Sequence, residues 1–252
     1  MSKPTVVLLA GGSNTRFFPL NTDAHKASIK ILGRHIINHT LENLEQNGFE
    51  HVVIVQNKRD AESGSLKKAI AKEERKIKID YAIQEVSRGM GDATLAAKEY
   101  LKDQFIIASP DFIKTGETGQ RFLELGSQCA VRVTPTEEPW LYGILEVEDD
   151  RAINVEEKPK KGTEKSNHKV SACYLLNQRF LNILNDLPQE QYNFEQALDQ
   201  LFKEEQVKVL FDQESKDSLK YPWHLFDYQE VLFEESKSTQ HQSAQVADTA
   251  IL

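Results

Sequence analysis

Leu8-Leu9-Ala10-Gly11-Gly12-Ser13-Asn14-Thr15-Arg16-Phe17-Phe18-Pro19-Leu20, followed by Lys26, couples the end of an apolar strand to a loop that carries two cations. Thr5 to Leu9 is β-branched or aliphatic throughout, the composition of a central strand in a parallel sheet. The glycine pair lets the backbone turn sharply at the strand's carboxyl end, where open α/β sheets place ligands. Without Cβ atoms, Gly11 and Gly12 let main-chain N–H groups approach an anion, and Arg16 and Lys26 can neutralise the charges of a triphosphate. Two familiar phosphate loops do not fit: no Gly-Lys-Ser/Thr follows Gly12, and the positions after it lack the third glycine of a dinucleotide fingerprint.

Outward from this loop the pattern alternates. Apolar spacing predicts a helix over Ile36–Gln46, a strand over His51–Gln56, a charged helix over Leu66–Glu74 and a strand over Ile77–Ile83. A helix over Gly91–Leu101 comes next, with Asp92 near its start, then the strand Phe105–Ala108 with Asp111 just past it. This order implies a parallel sheet with helices on both faces. After Cys129 strands crowd together at Ala130–Thr134, Tyr142–Val147 and Ile153–Glu156, with a turn at Glu148-Asp149-Asp150, which predicts an antiparallel lobe on the sheet edge. Val170–Leu176 reads as a strand, Arg179–Asn185 and Phe194–Phe202 as helices, and Val207–Phe211 as a last strand. The expected class is therefore α/β: a Rossmann-like, mixed, mostly parallel sheet with a small antiparallel lobe.

At 252 residues and 39% hydrophobic content the chain can bury a substantial core. No apolar run reaches the ~18 residues of a membrane helix, and Met1-Ser2-Lys3-Pro4 leads into a strand rather than a signal peptide, so the cytoplasm is the expected compartment. A net charge of -8 argues against a nucleic-acid partner. Cys129 and Cys173 each sit in an apolar run and read as buried thiols. Motifs for structural zinc, zinc hydrolysis and α/β-hydrolase chemistry are missing.

The loop and the residues after it resemble the signature of the sugar-1-phosphate nucleotidyltransferases, which runs Ala-Gly-Gly-x-Gly-Thr-Arg-x-x-Pro-Leu-Thr, then Pro-Lys, then Gly-Lys-Pro-Ile/Leu-Ile. Ala10, Gly11, Gly12, Thr15, Arg16, Pro19, Leu20, Lys26, Gly33, Ile36 and Ile37 match it in register without a gap. Asn14 replaces the third glycine, His25 the proline before the lysine, and His35 another proline. Asn tolerates positive φ well, so the loop is expected to keep its path.

The resemblance implies roles in the family's order. Ala10, Gly11, Gly12, Ser13, Asn14 and Thr15, with Gln84 and Gly89, would bind the nucleotide; Arg16 and Lys26 would be catalytic. Asp111 would hold Mg²⁺ with Asp227 in the Tyr221-Pro222-Trp223-His224-Leu225-Phe226-Asp227 segment, where His224 takes the place of the family's Asp and oxygen ligands suit magnesium better. Tyr142, Gly143, Glu157 and Lys158 would hold the sugar phosphate. Val170-Ser171-Ala172-Cys173-Tyr174 lacks the family's Asn, so sugar recognition must differ.

The implied reaction joins a nucleoside triphosphate and a sugar 1-phosphate into a nucleotide-sugar and pyrophosphate. A non-catalytic regulatory or scaffold homologue is the rival, supported by the departures at Asn14, His25, Pro110, Ser171 and His224. The base, the sugar and whether the chain is a homo-oligomer stay open. Residues 1–233 are expected to form the catalytic domain, and 234–252 a linker or tail. Ala244–Leu252 within it resembles either the opening rung of a left-handed β-helix or a frayed terminus.

Overall fold

The computed structural model describes residues 3–22, 24–213 and 219–235, so the tail beyond them lies outside the described residues. In chain order the elements are β1 (Thr5–Ala10), β2 (Lys30–Ile31), β3 (Arg34–His35), α1 (Ile36–Gln46), β4 (His51–Asn57), α2 (Lys58–Ser63), α3 (Ser65–Ile70), β5 (Lys78–Gln84), α4 (Met90–Ala96), β6 (Gln104–Ala108), α5 (Thr115–Glu124), β7 (Cys129–Pro135), β8 (Gly143–Glu148), β9 (Arg151–Glu157), β10 (His168–Asn177), α6 (Gln178–Asp186), α7 (Asn193–Glu204), β11 (Val207–Phe211) and α8 (His224–Glu235).

Period-two alternation along β1 sends its side chains into two cores. Val6, Leu8 and Ala10 pack with Ile37, Leu41 and Leu44 of α1, while Val7 packs on the opposite face with residues of α4, α6 and α7. All four β1 side chains are fully buried, and each such Val or Leu contributes about 1.5–3 kcal/mol. Both faces of the sheet are thus covered by helices, which is why β1 carries no polar side chain after Thr5.

The nine strands form one sheet in the order β5-β4-β1-β6-β10-β7-β11-β9-β8. β5, β4, β1 and β6 are mutually parallel, β10 runs antiparallel to both β6 and β7, and β11 is parallel to β7. The α/β class with a mixed sheet is as expected. The strands expected in a separate antiparallel lobe are continuous with the main sheet: β7, β10 and β11 extend it, and the β8–β9 hairpin lies at its edge. β2 and β3 form a separate small sheet.

Three boundaries differ for local reasons. The charged helix expected over Leu66–Glu74 is α3, which starts one residue earlier and ends at Ile70, and a separate helix that the pattern does not predict, α2, precedes it across Gly64 with φ of 64°. The helix beginning near Gly91 ends at Ala96 and gives way to a 3-10 turn over Lys98–Tyr100. Helix α5 escapes the sequence pattern because Gly116 and Gly119 depress helix propensity. Packing requires them: a Cβ on Gly116 would lie 2.3 Å from the Asn43 carbonyl oxygen, and one on Gly119 2.6 Å from Phe49.

A third, smaller core of Phe17, Ile31, Ile36, Ile113, Leu219 and Tyr228 ties the loop after β1 to α8. Cys129 and Cys173 are buried and form no disulfide, as read from the sequence. No described helix is long and apolar enough to cross a membrane.

Candidate active site

β1 sits where the strand order reverses, with β4 on one side and the later β6 on the other. That crevice outside the carboxyl ends of the strands is where such sheets bind ligands. The Gly11 carbonyl accepts from Asn57 Nδ2 at 3.2 Å and from Ser87 Oγ at 3.2 Å, so the ends of β4 and β5 brace the loop. A Cβ on Gly11 would stand 2.0 Å from Gln84 Oε1, so a larger residue there has to push the Gln84 amide aside. Gln84 is itself buried and donates through Nε2 to the Gly89 carbonyl at 2.9 Å. Gly89 has φ of 138°, a region that favours glycine. Asn14 adopts φ of 52° and donates to the Gly12 carbonyl at 3.0 Å, so it holds the left-handed turn that a glycine would otherwise supply.

A cleft of about 550 Å³ opens here, lined by Gly11, Gly12, Ser13, Gln84 and Gly89 together with Ser87, Arg88 and Met90. Ala10 is buried beneath it, and Asn14 and Thr15 shape the loop without lining the cleft. Arg16 is exposed, its guanidinium 5.8 Å from the centre of the Tyr221 ring.

Lys26 turns inward instead. Its ammonium lies 2.9 Å from Asp111 Oδ2 and donates to the Leu219 carbonyl at 2.8 Å. Asp111 is 1% exposed and also accepts from the Leu219 N–H at 3.0 Å and from the Ser109 hydroxyl. Burial alone would raise the Asp111 carboxyl, but the Lys26 charge and these donors outweigh it and hold the group below the usual carboxylate range. Neighbouring His25 is buried and neutral, lowered to about 3 by burial and then by Lys26; its Nδ1 accepts from the Ala27 N–H at 3.1 Å.

The residues expected around the sugar phosphate divide between two further clefts. Gly143 and Glu157 are cross-strand partners in the β8–β9 hairpin, and a Cβ on Gly143 would lie 2.9 Å from Glu157 Oε2. Glu157 and Lys158 line a cleft of about 440 Å³ with Tyr192 and Glu195. Lys158 has φ of 50° and lies 3.3 Å from Glu157 Oε1. Tyr142 and Asp227 line a larger cleft, about 740 Å³, with Lys169, Lys220 and His224. Lys220 feels Arg16, Lys169, Glu157 and Lys158 electrostatically, which links its cleft to the Glu157–Lys158 cleft and to Arg16 of the glycine loop.

As they stand, Asp111 and Asp227 do not make a magnesium site. Both Asp111 oxygens are already engaged and the side chain is sealed from solvent, whereas Asp227 opens into the Tyr142 cleft. Among the described residues no group of three or more His, Cys, Asp or Glu stands ready for a metal. Sequence reading misses Asn57, Ser87, Arg88, Lys169 and Lys220. Asn57 and Ser87 are within reach of it, because one ends β4 and the other follows β5 at the same carboxyl edge of the sheet.

Against this geometry, the chain matches the nucleotidyl transferase family over residues 5–224, nearly its whole described length. It belongs to that family. The resemblance to sugar-1-phosphate nucleotidyltransferases carried by the glycine loop is thereby supported. The chain is 29% identical over 182 residues to the bifunctional protein GlmU of Methanococcus maripaludis, covering 72% of this chain and 42% of that protein. It is 26% identical over 187 residues to the glucose-1-phosphate thymidylyltransferase of Mycolicibacterium smegmatis, covering 72% and 64% respectively. The chain thus spans well under half the length of the first of these relatives. Among solved structures, a UDP-glucose pyrophosphorylase complexed with UDP-glucose superposes with a TM-score of 0.74 at 18% identity, over 94% of this chain and 100% of that one. The UTP-bound UGPase from Acinetobacter baumannii gives 0.76 at 19%, over 94% and 95%. At these identities the likeness speaks for the fold.

Proposed function

We propose that this chain transfers a nucleotidyl group from a nucleoside triphosphate to a sugar 1-phosphate, releasing pyrophosphate and a nucleotide-sugar. The observation that carries the reading is the braced Gly11–Gly12 loop at the order reversal of the sheet, with an inward lysine beside it. In this reading the polyphosphate lies against the main chain of Gly11 to Thr15, the base against Gln84 and Gly89, and the sugar phosphate against Tyr142, Gly143, Glu157 and Lys158. The relatives named glucose-1-phosphate thymidylyltransferase and UDP-glucose pyrophosphorylase support the substrate classes.

A 1-phosphate oxygen attacks the α-phosphorus in line, its new P–O bond forming as the bond to the β-phosphate oxygen breaks. The nucleophile is already ionised at neutral pH, so no general base is required. Positioning and charge neutralisation dominate such transfers. Lys26 would exchange Asp111 for phosphate oxygens, and Arg16 would swing from Tyr221 to the β- and γ-phosphates. Mg²⁺ belongs to this reading as the triphosphate's counter-ion, and Asp111 and Asp227 would hold it only once Lys26 releases Asp111. The cytoplasm, which holds the triphosphates, is the proposed compartment, and residues 1–233 the proposed catalytic unit.

A screen of nucleoside triphosphates against hexose 1-phosphates, read out by pyrophosphate release, tests the reading. Lys26→Ala should lower turnover on the order of 10²–10³-fold. Release at the wild-type rate by that variant would remove Lys26 from the reaction. The saturated Lys26–Asp111 pair favours one rival, a regulatory homologue that binds without turnover. Phosphorus NMR of the products separates pyrophosphate release from simple hydrolysis and from no reaction.

A further inference from the structure

Building on the transfer reading, we infer that the acceptor carries a second anionic group besides its 1-phosphate, a carboxylate or another phosphate, and that Lys220 with Lys169 receives it beside Tyr142. The Lys220 ammonium lies 3.5 Å and the Lys169 ammonium 5.0 Å from the centre of the Tyr142 ring, so two cations face one aromatic surface.

Lys220 differs from four other cations withdrawn from water. Lys26, Arg34, Arg75 and Arg132 each touch a carboxylate. Among the described residues none lies within 4.0 Å of the Lys220 ammonium, and it is the backbone N–H of Lys220 that bonds to His224 Nδ1, at 3.2 Å. Burial, then Arg16 and Lys169, lower Lys220 to about 8, with Glu157 opposing and Lys158 adding to the effect. A charged group held against burial and like charge is unfavourable until an anion arrives. The Tyr142 ring offsets only part of that.

These cations are additional to those assigned to the two phosphorylated substrates. The cleft shares only Tyr142 and Asp227 with the proposed site residues, and none of Gly11, Gly12, Gln84, Glu157 or Lys158 lines it. At about 740 Å³ it has room for a substituted hexose phosphate. Glu137 and Glu138 are exposed on its wall, and Asp227 lines it as well; none of the three pairs with Lys220. Lysines act as point charges rather than forks, so carboxylate and phosphate are both chemically suitable.

The test compares glucose 1-phosphate, glucuronic acid 1-phosphate and glucose 1,6-bisphosphate as acceptors for the wild type, Lys220→Met and Lys220→Arg, by pyrophosphate release with the preferred triphosphate. One doubly anionic acceptor should exceed glucose 1-phosphate in kcat/KM by about tenfold or more, mainly through KM. Lys220→Met should bring that ratio near one and Lys220→Arg should restore part of it; the better acceptor identifies the group. Equal or better use of glucose 1-phosphate, or a preference that survives Lys220→Met, overturns the inference while leaving nucleotidyl transfer standing. Pyrophosphate from no acceptor defeats the transfer reading instead. Calorimetric binding of glucose 1,6-bisphosphate then decides: affinity about tenfold weaker in Lys220→Met upholds the cation site, and equal affinity refutes it.

Discussion

Lys26 and Lys220 are both drawn out of bulk water near the same crevice, yet their surroundings are opposite. Lys26 has a buried carboxylate and a carbonyl as partners, while Lys220 has an aromatic face and like charges. The first arrangement is internally satisfied and ties three distant segments together, because Asp111 also holds the backbone of Leu219 and, through its carbonyl, the Tyr228 hydroxyl at 2.6 Å. The second leaves attraction to spare. One polar cluster therefore serves the fold as well as the site, and the other stands to gain most from a ligand.

The contrast breaks most directly at Asp111. Removing its carboxylate strands a lysine that is largely buried, so Asp111→Ala should lose about 3–5 kcal/mol in urea unfolding. A loss below about 1 kcal/mol would show that the pair is not structurally coupled, and Lys26 would then resemble Lys220.

His25 sharpens the same comparison through pH. Its folded pKa, about 3, lies below the ordinary histidine value, so the unfolded chain binds the proton first as pH falls. Stability from His25 is thus complete above about pH 6.5 and declines by about 1.4 kcal/mol per pH unit towards pH 3. The depressed Asp111 carboxyl acts in the same direction, but only below about pH 4. His25→Asn keeps an acceptor for the Ala27 N–H and should flatten the profile between pH 6 and 4. An unchanged slope in urea titrations over that range would place the titrating group elsewhere.

The smallest effect concerns the loop's bracing. Gly11→Ala forces Gln84 aside and should cost about 1–3 kcal/mol. Gln84→Ala in that background should recover part of the loss, whereas additive losses in the double variant would disconnect the two positions.

How far the sequence can be read follows the same division. Helix α1 runs from Ile36 to Gln46, the limits its apolar spacing predicts, because one continuous face meets one sheet. The positive φ at Asn14 is likewise foreseeable from residue type. Helix α5 is hidden, since Gly116 and Gly119 oppose helix locally and are required only by contact with Asn43 and Phe49. The inward turn of Lys26 is equally hidden, because its partners stand 85 and 193 residues away in the chain.

The amino-acid order by itself determined the buried central strand, the glycine turn at its carboxyl end and the alternation of elements around it, since each depends on residues within a turn or a strand's length. Tertiary structure alone decided that β7, β10 and β11 join the main sheet, that Asp111 closes on Lys26, and that Lys169 and Lys220 meet over Tyr142. Local periodicity records which face of an element is apolar; which distant charge a side chain meets depends on packing between segments that the periodicity does not encode.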